Sequence, residues 1–223
     1  MQVMIDILRH FAEGLGVPPN NFNQCTHLYE VGFTLNDPQS CGSCLENKEL
    51  RYKKCNQVVL HVDVNDRTSI YAVSWDTILK TLNNRNKEGQ RCDYVLCGED
   101  KIVFCELTCT EASKMDPFVN SSGKQRGKRA TARDQIKETI ELMGMHPVLW
   151  ENILIKQKKE GIVAWRDSSA NESVTIDNKA ARNMKVFTDT PSNSQPKIIF
   201  EEKICGVVFQ ILQVKYPNHY VWN

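Results

Sequence analysis

Apolar positions recur every three to four residues at the start of the chain, where Met4, Ile7, Leu8, Phe11 and Leu15 share one helical face. Gly14, Gly16 and Pro18-Pro19 end that pattern, so a core-facing helix is expected there. A period of two takes over in QVVLHVDV (Gln57 to Val64) and SIYAV (Ser69 to Val73), joined by the turn-like Asn65-Asp66-Arg67, and predicts a hairpin. Ser74 can cap a helix carrying Trp75, Ile78, Leu79 and Leu82, which the polar run Asn83 to Arg91 stops. DYVLC (Asp93 to Cys97) and KIVFCELTC (Lys101 to Cys109) lie only Gly98-Glu99-Asp100 apart and should pair antiparallel. From Thr131, Ala132, Ile136, Ile140 and Met143 line a second helix. GIVAW (Gly161 to Trp165), MKVFT (Met184 to Thr188), KIIFEE (Lys197 to Glu202) and CGVVFQILQV (Cys205 to Val214) read as further strands, with polar linkers at 166–183 and 189–196. The sum is one mixed α/β (α+β) domain over residues 1–223, with a central mixed sheet flanked by helices and a Cys-rich insertion at 20–56.

Composition narrows the class. A chain of 223 residues with 41% hydrophobic content can bury a sizeable core. No run approaches the roughly 18 apolar residues that span a membrane, and MQVMIDILRHFAEGLG lacks the basic start and cleavage site of a secretion signal. Nine cysteines, an odd number, without an export signal fit reduced thiols or metal ligands better than a disulfide framework. The expected setting is the cytoplasm. A net charge of +1 argues against a globally cationic nucleic-acid coat and leaves room for a local basic patch.

The candidate chemistry sits on the second hairpin. Alternation puts Ile102, Phe104, Glu106 and Thr108 on one face and Val103, Cys105, Leu107 and Cys109 on the other. The short turn folds Glu106 back toward Asp93, so two carboxylates meet at one sheet edge. Like charges buried together are costly unless a cation joins them, and oxygen ligands suit Mg²⁺ or Mn²⁺ better than zinc. Such an ion can activate water against a phosphodiester. The bland alternative is that Asp93 merely starts a strand and Glu106 lies on a solvated sheet face.

Asp93, twelve residues, then Glu106-Leu107-Thr108 on the next strand resembles the D…(D/E)-x-K signature of the restriction-endonuclease-like nucleases, the PD-(D/E)xK superfamily. The resemblance covers about residues 75–165 and implies a restriction-endonuclease-like fold, nuclease activity on DNA or RNA, Asp93 and Glu106 as Mg²⁺ or Mn²⁺ ligands, and a homodimer as the common assembly. Thr108 stands where the family has its lysine and Cys92 where it often has proline. Lys114 is the nearest downstream substitute, and Glu-x-Thr followed by a later lysine is also similar to the cap-snatching endonucleases of segmented RNA viruses. Gln135, on the following helix, matches the polar residue that the family often places near its site. Asp76 is a further acidic candidate, with a helix-dipole role as the simpler explanation.

A second signal is independent of that motif. NSSGKQRGKRATAR carries Lys124, Arg126, Lys128, Arg129 and Arg133 with no acidic residue, and it leads into a helix N-terminus, where terminal amides add to side chains in contacting phosphate. The same run also reads as a solvated loop. The cysteines point elsewhere: Cys41-Gly42-Ser43-Cys44 is a C-x2-C knuckle, Cys55 follows it, and Cys25, His27 and His61 offer a fourth ligand for structural zinc. Reduced thiols in small pockets would look the same. A Cys-His nucleophile has no local signature among the five histidines. Two functions remain from the sequence: a metal-dependent nuclease, or a non-catalytic nucleic-acid-binding or protein-interaction module of the same fold ordered by zinc.

Overall fold

A computed structural model describes residues 1–36, 58–64, 68–82, 91–110, 112–116, 127–167 and 196–223. The first helix, α1 (Gln2–Gly14), buries Met4, Ile5, Leu8, Phe11 and Ala12, as the spacing requires. Extended Pro18 leads into α2 (Pro19–Gln24), which buries Phe22. Strands β1 (Thr26–Tyr29), β2 (Phe33–Asn36), β3 (Val58–Val64) and β4 (Ile70–Ser74) come next. Helix α3 (Trp75–Lys80) leads to β5 (Tyr94–Cys97) and β6 (Lys101–Thr110). Helix α4 (Lys128–Gly144) starts three residues before Thr131. Helix α5 (Pro147–Leu154) starts on a proline and is capped by His146, whose Nδ1 accepts from the Leu149 amide at 3.2 Å. Strands β7 (Lys158–Asp167), β8 (Lys197–Ile204), β9 (Val207–Lys215) and β10 (His219–Trp222) complete the described chain.

Two sheets form where the hydrophobic pattern suggests one. Among the described residues a seven-stranded mixed sheet runs β1-β4-β5-β6-β7-β9-β8, and a three-stranded sheet runs β10-β3-β2. Strands β6, β7 and β9 are parallel neighbours, and the others in the large sheet pair antiparallel. The β8–β9 connection turns on Cys205 and Gly206, both at positive φ, as a two-residue hairpin with the sheet's twist requires.

The hairpin expected from residues 57–73 does not form. Strand β3 pairs with β2 and, in parallel, with β10, whereas β4 lies between β1 and β5. Burial explains the separation. On β3 the residues Leu60 and Val62 face a core while His61 and Asp63 face outward, so this strand has one apolar face. On β4 both faces are covered, with Ile70 and Ala72 in one core and Val73 in the other. The predicted insertion likewise starts inside the fold, because β1 and β2 edge the two sheets; residues 37–57, and the strand expected at 184–188, lie outside the described residues.

The large sheet is therefore the middle of three layers. Val95, Cys97, Ile102 and Phe104 pack under the helices with Ile136, Ile140 and Met143. Leu96, Val103, Cys105 and Leu107 pack against Leu60, Val62, Tyr220 and Trp222 of the small sheet. Strand β6 is covered on both faces, which is why it reads as a continuous apolar run. Gly161 lets α4 sit close on the sheet: a Cβ there would come within 3.1 Å of Ile136 and 2.5 Å of Ile211. No helix among the described residues is long and apolar enough to cross a membrane.

Candidate active site

The β5–β6 hairpin forms in the register expected. Tyr94 pairs with Cys105 and Cys97 with Ile102, and the Gly98 amide donates to the Lys101 carbonyl at 2.9 Å to close the turn. Lys156 fixes that turn from outside, donating to the carbonyls of Gly98 at 2.9 Å and Glu99 at 2.6 Å. Extending the ladder by one residue sets Asp93 opposite Glu106, on the helix-covered face. Both are buried, at 1% and 6% exposure.

Asp93 is gripped at two points. Its carboxylate Oδ2 accepts from the Leu107 amide at 2.8 Å, and its carbonyl accepts from the amides of Trp75 at 2.8 Å and Asp76 at 3.3 Å. The first turn of α3 is thereby fastened to the strand beside Glu106, which brings buried Asp76 to the same corner. Asp76 is ion-paired with Lys80 at 2.5 Å, one turn along α3.

Helix α4 covers this corner. Its buried side includes Ala132, Gln135, Ile136, Thr139 and Ile140, so Gln135 points inward as expected. Thr139 Oγ1 accepts from the Cys92 amide at 2.9 Å and donates to the Gln135 carbonyl at 2.8 Å, which locks α4 to the residue preceding Asp93. The thiols report the local field. Burial pushes Cys92 and Cys105 well up, and the negative charges of both Asp93 and Glu106 push each further, while Thr139 pulls Cys92 partly back. Cys97 is pushed up to about 12 by burial, with Lys156 opposing.

The remaining candidates divide. Thr108 is half-buried beside Trp165, its register partner on β7. Lys114 is exposed in a single 3-10 turn, Ala112–Lys114, beyond the end of β6; about 13 Å of strand separates Glu106 from Thr110. Lys128 is exposed on the first turn of α4. Arg129 pairs with Asp116 at 2.7 Å. Arg133 pairs with Asp134 at 3.3 Å and Glu202 at 3.7 Å and lies over the Phe200 ring. Lys124 and Arg126 lie outside the described residues. The ends of their segment meet, since the Arg129 amide donates to the Met115 carbonyl at 3.1 Å and a Cβ on Gly127 would strike that carbonyl at 2.5 Å.

The zinc candidates Cys41, Cys44 and Cys55 also lie outside the described residues. Cys25 packs against the helix-side core, His27 is exposed on β1, and His61 is stacked between Tyr216 and His219 on the outer face of the small sheet. Among the described residues no three His, Cys, Asp or Glu side chains are grouped to hold one metal ion. Residues that sequence reasoning missed are Trp165, Gln213 and Lys215. Their nearness to Glu106 and Thr108 depends on the order β6-β7-β9, which no local pattern signals.

The fold and site define a mixed α/β protein with helices over one face of a large sheet and two buried carboxylates beneath them. No protein-family model matches this chain, and no curated protein or solved structure matches it either.

Proposed function

We propose that the chain is a metal-dependent nuclease of the restriction-endonuclease-like class. The observation that carries this reading is the burial of Asp93 and Glu106 opposite each other on one sheet face. Two carboxylates held together under a helix invite a cation, since each would otherwise raise the cost of the other's charge. The donor set fits Mg²⁺ or Mn²⁺: such ions are held by one or two carboxylates plus water and phosphate oxygens, and need no all-protein cage. Asp93 and Glu106 would hold it, while the Asp76 carboxylate stays paired with Lys80. When bound, the ion would polarise a phosphoryl oxygen and lower the pKa of a ligated water.

The chain's own residues do the rest. The Leu107 amide fixes the Asp93 carboxylate, and the α3 amides fix its backbone, so Asp93 is oriented before substrate arrives. Gln135 enters from α4 and can orient a scissile phosphate or water. Thr108 lines the site one step along the strand. Lys114, and the basic run with Lys124, Arg126, Lys128, Arg129 and Arg133, are the cationic side of the proposal. Arg129 and Arg133 would exchange carboxylate partners for phosphate. The substrate is DNA or RNA, and a homodimer is the assembly proposed with it.

Threonine at position 108 favours a second reading, a binding module of the same fold without catalysis, ordered by zinc at Cys25, Cys41, Cys44 and Cys55. One assay separates the two. Single- and double-stranded DNA and RNA are incubated with Mg²⁺, Mn²⁺ or EDTA, using wild type, Asp93→Asn, Glu106→Gln and Lys114→Ala. Metal-dependent cleavage that falls at least a hundredfold in both carboxylate variants is the expected outcome. Binding without cleavage of any substrate overturns the nuclease in favour of the module.

A further inference from the structure

Two rows of in-register residues cross the large sheet from the acidic corner. Glu106 pairs with Val163, Val163 with Gln213, and Gln213 with Lys197. Thr108 pairs with Trp165, and Trp165 with Lys215. Register partners point to the same face, so Gln213 lies on the Glu106 side, two strand spacings or about 10 Å away. Lys215 is exposed, with its ammonium 4.8 Å over the Trp165 ring.

These rows end at a groove of about 200 Å³ lined by Lys197, Gln213, Val214, Lys215, Asn218 and His219. Behind it stands a stack of planar groups. The Arg166 guanidinium lies 4.2 Å from the Tyr216 ring, Tyr216 stacks on His61 at 5.5 Å, and His61 stacks on His219 at 4.6 Å. Asp63 holds His219 Nδ1 at 2.9 Å, which fixes the plane of the last member. The groove thus combines a half-buried imidazole at the end of a stack, two lysines and two carboxamides.

We propose that this groove binds one nucleotide of a single-stranded nucleic acid, its base extending the stack at His219 and its phosphate held by Lys215 and Lys197. The proposal deepens the nuclease reading and rests on it for the class of ligand alone, since buried Val163 and Trp165 lie between the groove and the acidic corner. Aromatic faces interleaved with cations suit unpaired bases, because every base offers a π-face whatever its sequence. Gln213 and Asn218 supply the donors and acceptors that read a base edge. A duplex keeps its bases inside the stack, where a groove of this size cannot reach them.

The test is binding in EDTA, so that cleavage does not enter. Labelled twelve-residue single-stranded DNA and RNA, the matching duplexes, and free adenosine and uridine monophosphates are titrated against wild type, His219→Leu, Lys197→Glu/Lys215→Glu and Glu106→Gln. Wild type should prefer single strands to duplex. His219→Leu should weaken single-strand binding about tenfold or more and leave duplex binding unchanged. The double lysine variant, altered only at exposed positions, guards against misfolding of the histidine variant and should lose at least as much. An oligonucleotide carrying a photoreactive uracil should cross-link to the peptide that contains His219. Mononucleotide binding as tight as that of the oligonucleotide would make the groove a free-nucleotide site and overturn the strand. Equal affinity for duplex, unchanged binding in both variants, or cross-links elsewhere would overturn the groove. Cleavage that persists with unaltered binding in these variants removes the groove and keeps the nuclease; strand binding and cross-linking at His219 without cleavage under any metal removes the nuclease and keeps the groove.

Discussion

Glu106 is the residue on which the site turns, because a carboxylate buried opposite Asp93 carries an electrostatic cost that a neutral amide of the same shape would not. Glu106→Gln should therefore raise Tm in EDTA by about 3 °C, the shift expected of roughly 1 kcal/mol in a chain of this size. Mn²⁺ should raise the Tm of wild type and not that of the variant, which calorimetry with and without metal would read. A second residue responds to acid. His61 has its pKa lowered by burial first and then by the His219 and Arg166 charges, with Asp63 opposing. The native state thus resists protonating it, so this stability is present above the unfolded value of about 6.5 and is lost as pH falls below it. In His61→Gln the decline in Tm between pH 7 and pH 5 should be shallower than in wild type. Much at this scale was legible: the side-chain period of two assigned Glu106 and Thr108 to one face and Cys105 to the other, and a three-residue turn brought Asp93 back to Glu106. Trp165, Gln213 and Lys215 were not legible as site neighbours, because register across parallel strands is set by packing of distant segments.

At the scale of elements, the two faces of β6 carry different devices. Opposite the carboxylates, Lys101 is almost fully buried between the sheets, donating to the Tyr220 hydroxyl at 3.0 Å and lying 3.6 Å from Glu160. Its ammonium is within 5.2 Å of the rings of both Tyr220 and Trp222, and Tyr220 also donates to Glu160. Burial lowers the Lys101 pKa against the pull of Glu160, and burial with Glu160 raises that of Tyr220. This cluster joins β6 and β7 of one sheet to β10 of the other. Lys101→Met should cost about 3 kcal/mol by leaving Glu160 without its cation, and Lys101→Met/Glu160→Leu/Tyr220→Phe, which also removes the hydroxyl bonded to both, should recover most of it, as urea unfolding of both variants would measure. Helices α1, α3 and α4 were readable from their apolar period, whereas α2 and α5, short and opened by proline, were not. The misassigned hairpin at residues 57–73 shows the limit: proximity in sequence suggested a partner for β3, whereas its single apolar face required the second sheet.

Across the whole molecule, a net charge of +1 means that no broad positive field draws nucleic acid to the surface. The salt dependence of single-strand affinity then counts local phosphate contacts. With Lys197 and Lys215 alone the slope of log K against log salt should be about −1.4, and with the basic run of the nuclease reading engaged as well it should be about −5. Fluorescence anisotropy between 50 and 300 mM salt would decide, those concentrations bracketing the usual range of about 0.15 M. The three-layer arrangement has a further consequence, in time. Strand β3 lies parallel to β10, which emerges from the ribosome about 155 residues later, an interval of roughly 10–30 s at ordinary rates of synthesis. Until then Leu60, Val62, Leu96 and Val103 lack the cover of Tyr220 and Trp222. The helix-covered core closes late as well, because α1 packs on α5 far along the chain and Ile204, Phe209 and Ile211 belong to it, so the nascent chain carries unfinished cores on both faces of its large sheet until the C-terminal strands are made.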